Sequence, residues 1–142
     1  MAICTFFGHK DCSDTVRYNL RKVIIELIID YGVEIFYVGN QGRFDAIVRG
    51  ILRELVKEYP SINYAVVLAY MPCSQNENED TSDTMLPEGI ELVHPRYAIS
   101  WRNNWMLQQS DYVVTYITHS WGGAAKFADK ATKQGKTVFN IQ

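Results

Sequence analysis

Residues able to hold an anion gather in four short polar segments: Gly8-His9-Lys10-Asp11, Gly39-Asn40-Gln41-Gly42-Arg43, Glu91-Leu92-Val93-His94-Pro95-Arg96 and Thr118-His119-Ser120-Trp121-Gly122-Gly123. In the last, two glycines open a helix-like stretch. A backbone without side chains comes close to a phosphate there, and the unpaired N–H groups and the positive helix end favour its charge. Lys126 lies one turn in, and Ser120 can donate from the turn. Taken alone, a glycine pair is more simply a tight corner between strand and helix. Gly39 and Gly42 repeat the arrangement with Asn40 and Arg43 as donors, and the pair of turns together favours phosphate or nucleotide binding.

Asp45, in the next helical turn, suits either the helix end or a ribose hydroxyl. Arg96 and Arg102 suit bidentate phosphate binding, although either alone reads more simply as a solvated surface cation. His9 and His119 fall at expected strand ends, where imidazole can bond a ligand or serve structure. Trp101, Trp105 and Met106 fit a core or a subunit contact, and Trp121, beside the glycine pair, can also stack on a base.

These segments need elements to position them. "ICTFF", "VEIFYVG", "NYAVVLAY", "YVVTYI" and "TVFNI" are apolar runs of strand length, with "IELV" as a further short strand. Between them, "DTVRYNLRKVIIELIIDYG" puts Val16, Leu20, Val23, Leu27 and Tyr31 on one helical stripe, with Asp14 as cap and Gly32 as stop. Phe44, Ile47, Ile51, Leu55 and Tyr59 recur likewise before Pro60. Pro95 opens a helix through "PRYAISWRNNWMLQQSD", and "AAKFADKATKQG" is a helix ended by Gly135. The acidic "CSQNENEDTSDTMLPEG" has no period and reads as a surface loop or a lid. Alternating elements with continuously apolar strands predict a three-layer, Rossmann-like α/β fold over residues 1–142: a parallel sheet with helices on both faces. Ligands in such sheets lie beyond the carboxyl ends of the strands.

The 142 residues suffice for one domain. Fourteen basic against sixteen acidic side chains give a formal charge of -2, and with a pI near 5.9 the basic footprint of a duplex nucleic-acid binder is missing. Nucleic acid is therefore not expected as a partner. Cys4, Cys12 and Cys73 have neither CxxC nor Cys/His spacing, which argues against a disulfide framework and a structural zinc. The N-terminus has no basic segment followed by a long apolar stretch, so neither a leader nor a membrane span is expected, and the cytoplasm is the expected setting.

The quoted segments resemble the SMF/DprA–LOG superfamily along nearly the whole chain. "ICTFFGHKD" is similar to its first strand and GS or GHR turn, and "FYVGNQGRFDAIV" to its strand with a glycine-rich loop. "HPRYAIS" resembles the HxRKA segment of the LOG branch, and "GGAAKFAD" stands where that branch has GGxGTxxE. The resemblance implies a Rossmann-like fold that binds a nucleotide or a nucleotide-derived ligand. In the LOG branch, a phosphoribohydrolase uses the motif arginine and glutamate, which puts Arg96 and Asp129 in catalytic positions here. The chain departs at Trp121 for proline, Ala125 for glycine, Lys126 for threonine and Asp129 for the longer glutamate.

Those departures favour binding over turnover. The expected function is a module that senses or sequesters an ADP-ribose-type or cyclic nucleotide signal, in a setting such as anti-phage defence. Gly8, His9, Gly39, Asn40, Gly42, Arg43, Asp45, Arg96, Arg102, Ser120, Trp121, Gly122, Gly123 and Lys126 would form its site. The alternative is an N-glycosidase using Arg96 and Asp129; a structural domain with degenerate turns is a third. Neither cofactor nor metal is expected. The resemblance also implies a homodimer or higher oligomer, for which the Trp-rich "SWRNNWML" helix is a candidate contact unless its aromatics fill the core.

Overall fold

Four consecutive buried residues, Cys4 to Phe7, lie in strand β1 (Ala2–Gly8), the burial expected of a strand covered on both faces. In the computed structural model, which describes residues 1–71 and 82–141, β1 joins β2 (Val33–Val38), β3 (Asn63–Val67), β4 (Thr84–Met85), β5 (Tyr112–Tyr116) and β6 (Thr137–Asn140). Together they form one six-stranded sheet in the order β4-β3-β2-β1-β5-β6. Every neighbouring pair is parallel.

Alternate side chains of the strands feed two separate cores. On one face, Phe6, Phe36 and Val66 pack against helices α1 (Val16–Ile29) and α2 (Arg43–Glu58). On the other, Phe7, Val67 and Val113 meet Met106 and Leu107 of α3 (Ala98–Gln109), and Phe127 and Ala131 of α4 (Gly123–Lys133). The three layers and the parallel sheet are those expected.

Local details differ where long-range contacts decide. The stripe of α2 buries Phe44, Ile47, Ile51 and Leu55 as its spacing predicts. In α1, Ile24 rather than Val23 is fully buried, and Tyr31 lies past the helix, edge-on to Tyr112 and Phe139. Asp14 does not cap α1, since its carboxylate pairs with Arg43 and Thr15 holds the cap position. Ile90–Leu92, expected as a strand, forms a 3-10 turn entered through Gly89 at φ +95°. Trp101 and Trp105 are half-buried within the chain's own cores, against the Ile90–Ala98 cluster and against Tyr37. Cys73 and most of the expected acidic loop or lid fall outside the described residues. Among the described residues no helix is long and apolar enough to cross a membrane.

The edge of the sheet is tied to α2 by one carboxylate. Asp83, just before β4, accepts from Arg49 Nε at 2.9 Å, Arg49 Nη2 at 2.5 Å and Tyr64 Oη at 2.8 Å, with Arg53 Nη2 at 3.4 Å. Burial alone would raise this carboxyl. The Arg49 and Tyr64 hydrogen bonds and the two guanidinium charges outweigh it and hold the carboxyl below its ordinary value. A depressed carboxylate stabilises the fold above its unfolded pKa, and that contribution disappears as pH falls through the lower folded value. Asp83→Asn is expected to lower unfolding free energy by about 2 kcal/mol at neutral pH. Urea melts should show the native-minus-variant gap closing below about pH 4.

Candidate functional site

The chain builds outward from β1 through β2 and β3 to β4, then returns to lay β5 on the other flank of β1. Strand order reverses between β1 and β5, and their turns lead to helices on opposite faces, which opens a crevice at their carboxyl ends. His9 N–H still donates to Tyr116 O at 3.3 Å, so the two chains part just beyond that bond. A cleft of about 420 Å³ lies there. Gly8, His9, Lys10 and Asp11 line it from β1, Gln41 and Asp45 from the start of α2, and His119, Gly122 and Gly123 from the β5–α4 turn. Ile99, Arg102, Asn103 and Met106 contribute from one face of α3, a spacing that the sequence carries but that core packing would equally produce.

Arg102 lies in the wall of this cleft, only 1% exposed. Its Nη1 donates to Val67 O at 2.9 Å and Asn40 Oδ1 at 3.2 Å, and its Nε to Asn103 Oδ1 at 2.8 Å. Asn40 thus holds the arginine, and its carbonyl oxygen is already engaged. Asp45 accepts from the Gln41 backbone N–H at 2.9 Å. Burial pushes the Asp45 carboxyl up to about 6, against the opposing pull of that hydrogen bond and of the Arg102 and Lys10 charges. A Cβ at Gly39 would lie 2.9 Å from Asp45 Oδ2 and 3.1 Å from Arg102 Cζ, so this glycine makes room for the charged pair.

The remaining turns are positioned by one another. Gly42, at φ +90°, sits so close to the first turn that a Cβ would meet the Lys10 Cα at 2.8 Å, and the Arg43 N–H donates to Lys10 O at 2.9 Å. The Arg43 side chain turns away to Asp14. His94 caps the 3-10 turn Pro95–Tyr97, its Nδ1 accepting from the Arg96 N–H at 3.1 Å. The exposed Arg96 guanidinium lies 5.8 Å from the Tyr97 ring centroid and lines neither this cleft nor the groove beside it.

That groove, about 780 Å³, runs between α4 and β6 and is lined by Ser120, Lys126 and Asp129 among others. Gly122 and Gly123, at the start of α4, line both depressions. Asp129 is ion-paired to Lys133 at 2.9 Å. Of the expected residues, the cleft brings together Gly8, His9, Asp45, Arg102, Gly122 and Gly123, with Ser120 and Lys126 in the adjoining groove. Gly39, Asn40 and Gly42 line a smaller dent of about 240 Å³ beside α2. Among the described residues no three His, Cys, Asp or Glu side chains gather to hold a metal.

Two solved structures match this architecture end to end. DNA processing protein A (DprA) from Streptococcus pneumoniae superposes with a TM-score of 0.72 at 15% identity, over 100% of this chain and 50% of that one. The chain has the Rossmann-like fold of DprA. A second DprA, from Helicobacter pylori, which binds single-stranded DNA, matches with a TM-score of 0.63 at 15% identity, over 99% of this chain and 65% of that one. This chain thus spans half to two thirds of the length of those proteins. No family model and no curated protein matches it.

These likenesses overturn three expectations. Nucleic acid cannot be set aside as a partner when a protein of this fold binds single-stranded DNA. The sensor or sponge for a small nucleotide signal gives way for the same reason. The N-glycosidase alternative also falls: neither neighbour supports it, and Asp129 faces a groove that Arg96 does not line. The formal charge of -2 is an average over the chain; the cleft carries Lys10 and Arg102 beside Asp11 and Asp45.

The Asp45–Arg102 arrangement is testable. Because the folded Asp45 pKa lies above the unfolded one, the native state gains protons, and stability falls as pH rises from about 4 toward 6. Arg102→Met removes a cation that favours the carboxylate, so Asp45 should titrate above its native value in carbon-detected NMR. An unchanged titration would show that the two charges do not feel each other.

Proposed function

We propose that the chain binds single-stranded DNA along the trough made up of the cleft and the adjoining α4–β6 groove. One observation carries this: the two depressions share Gly122 and Gly123, so a chain-like ligand that contacts the start of α4 has a cleft on one side and a groove on the other. The glycine-opened end of α4 offers unpaired N–H groups to a phosphate, and Gly122 at φ +96° holds a backbone shape that a side chain would strain. Lys10 in the cleft and Lys126 in the groove stand on either side of that point. The single-stranded DNA binding of the H. pylori neighbour supports the choice of ligand.

Few phosphates are neutralised by such a site, so salt should weaken binding only moderately. Fluorescence anisotropy of a labelled oligothymidylate is expected to show binding at low salt. Each of Lys10→Ala and Lys126→Ala should weaken it and reduce the slope of log affinity against log salt by about 0.7, the value for one phosphate contact on a single strand. No binding at low ionic strength would overturn the proposal.

A further inference from the structure

Trp121 is 69% exposed, yet one face of its indole is already covered. It stacks on His119 with ring centroids 3.9 Å apart and planes 19° from parallel. His119 stacks in turn on His9, at 3.6 Å and 16°. Three nearly parallel rings therefore rise from His9, which is buried at the end of β1, to an indole in solvent. The column joins the two strand-end turns that flank the cleft.

Its base is fixed. His9 Nε2 accepts from the His119 backbone N–H at 3.4 Å, and the His9 ring meets Tyr116 edge-on. Burial, then the charge of His119, disfavours a proton on His9, while Asp11 pulls weakly the other way. A neutral His9 lets the rings lie face to face without like-charge repulsion. The indole is thus held flat at little further entropic cost when something binds it. Beside it, a Cβ built at Gly122 or Gly123 would meet nothing within 4 Å, so the space next to the column is open.

A large, oriented, exposed aromatic face beside a phosphate-favouring helix end suits a ligand that carries a flat ring next to a phosphate. We infer that Trp121 is a stacking platform for one unpaired nucleobase of the bound strand, with the following phosphate at Gly122–Gly123. This inference rests on the single-strand proposal and adds how the site distinguishes a single strand from a duplex. Every base has a π-face, so the contact is tolerant of sequence. In a duplex those faces are covered by neighbouring pairs, and the platform would have nothing to take.

The test compares two labelled oligonucleotides of equal phosphate number, one oligothymidylate and one fully abasic, on native protein, Trp121→Ala and Trp121→Phe, with thermal melts checking that each variant folds. Native protein should prefer the base-bearing strand. Trp121→Ala should lose about tenfold in affinity for it and little for the abasic strand, while Trp121→Phe keeps most of the preference. Equal losses on both strands, or no loss on either, would overturn the platform and leave the single-strand proposal standing. Failure of native protein to bind either strand would overturn both.

Discussion

β1 is hydrogen-bonded on both flanks, to β2 and to β5, and the return of the chain across the sheet to place β5 there is the constraint on which the rest of the molecule depends. Parallel strands need a crossover, so each strand delivers its chain to a helix on one face or the other. The chain leaves β1 for the α1–α2 face and β5 for the α3–α4 face. Two adjacent strand ends therefore part, and a crevice follows from topology before any side chain is chosen. The first turn of α2 then packs so close to the end of β1 that a Cβ at Gly8 would lie 2.3 Å from the Phe44 ring. The rim is closely packed on that side.

Burying Arg102 in the wall of the crevice is costly unless each donor finds a partner and a counter-charge is near. Val67 O, Asn40 and Asn103 supply the partners, and Asp45 supplies the charge. Neither member of the pair is cheaply ionised in isolation. Asp45 is pushed toward its neutral form by burial, and Arg102 toward the same by its own desolvation, so each favours the charge of the other. Asn40 and Gly39, which in the sequence look like ligand contacts, belong to the support of this pair. The positive charge in the wall is consequently fixed in place, unlike that of Lys10, which is exposed and free to follow a ligand.

Much of the fold was legible because burial on both faces writes itself into the chain as unbroken apolar runs such as "ICTFF", and because α2 repeats Phe44, Ile47, Ile51 and Leu55 at helical spacing. β4 escaped notice since it is two residues long and lies in a polar stretch; only its pairing with Val66 and Val67 makes it a strand. The site was partly legible. Gly122 and Gly123 stand out locally, and so does each histidine at a strand end. What no local pattern contains is the pairing of His9 with His119, 110 residues away, or the diversion of Arg43 to Asp14, which depends on how two turns dock. Gly42 carries a glycine signature for a steric reason at Lys10, and a sequence cannot distinguish that from a phosphate contact.

Net charge is a poor guide for such a surface. A duplex presents a dense, regular array of phosphates, and a protein that follows it needs a matching array of cations. A single strand offers fewer phosphates to any short track and exposes its bases, so binding free energy can come from stacking and from backbone N–H groups, neither of which adds to a charge count. Some acidic side chains are paired away from the trough: Glu54 and Glu58 with arginines of α1, and Asp83 with arginines of α2. In the trough itself Lys10, Arg102 and Lys126 stand against Asp11, Asp45 and Asp129, so formal charge there is balanced rather than basic. On such a surface, stacking faces and backbone N–H groups, set by which strand ends the topology brings together, count for more than the sum of charges.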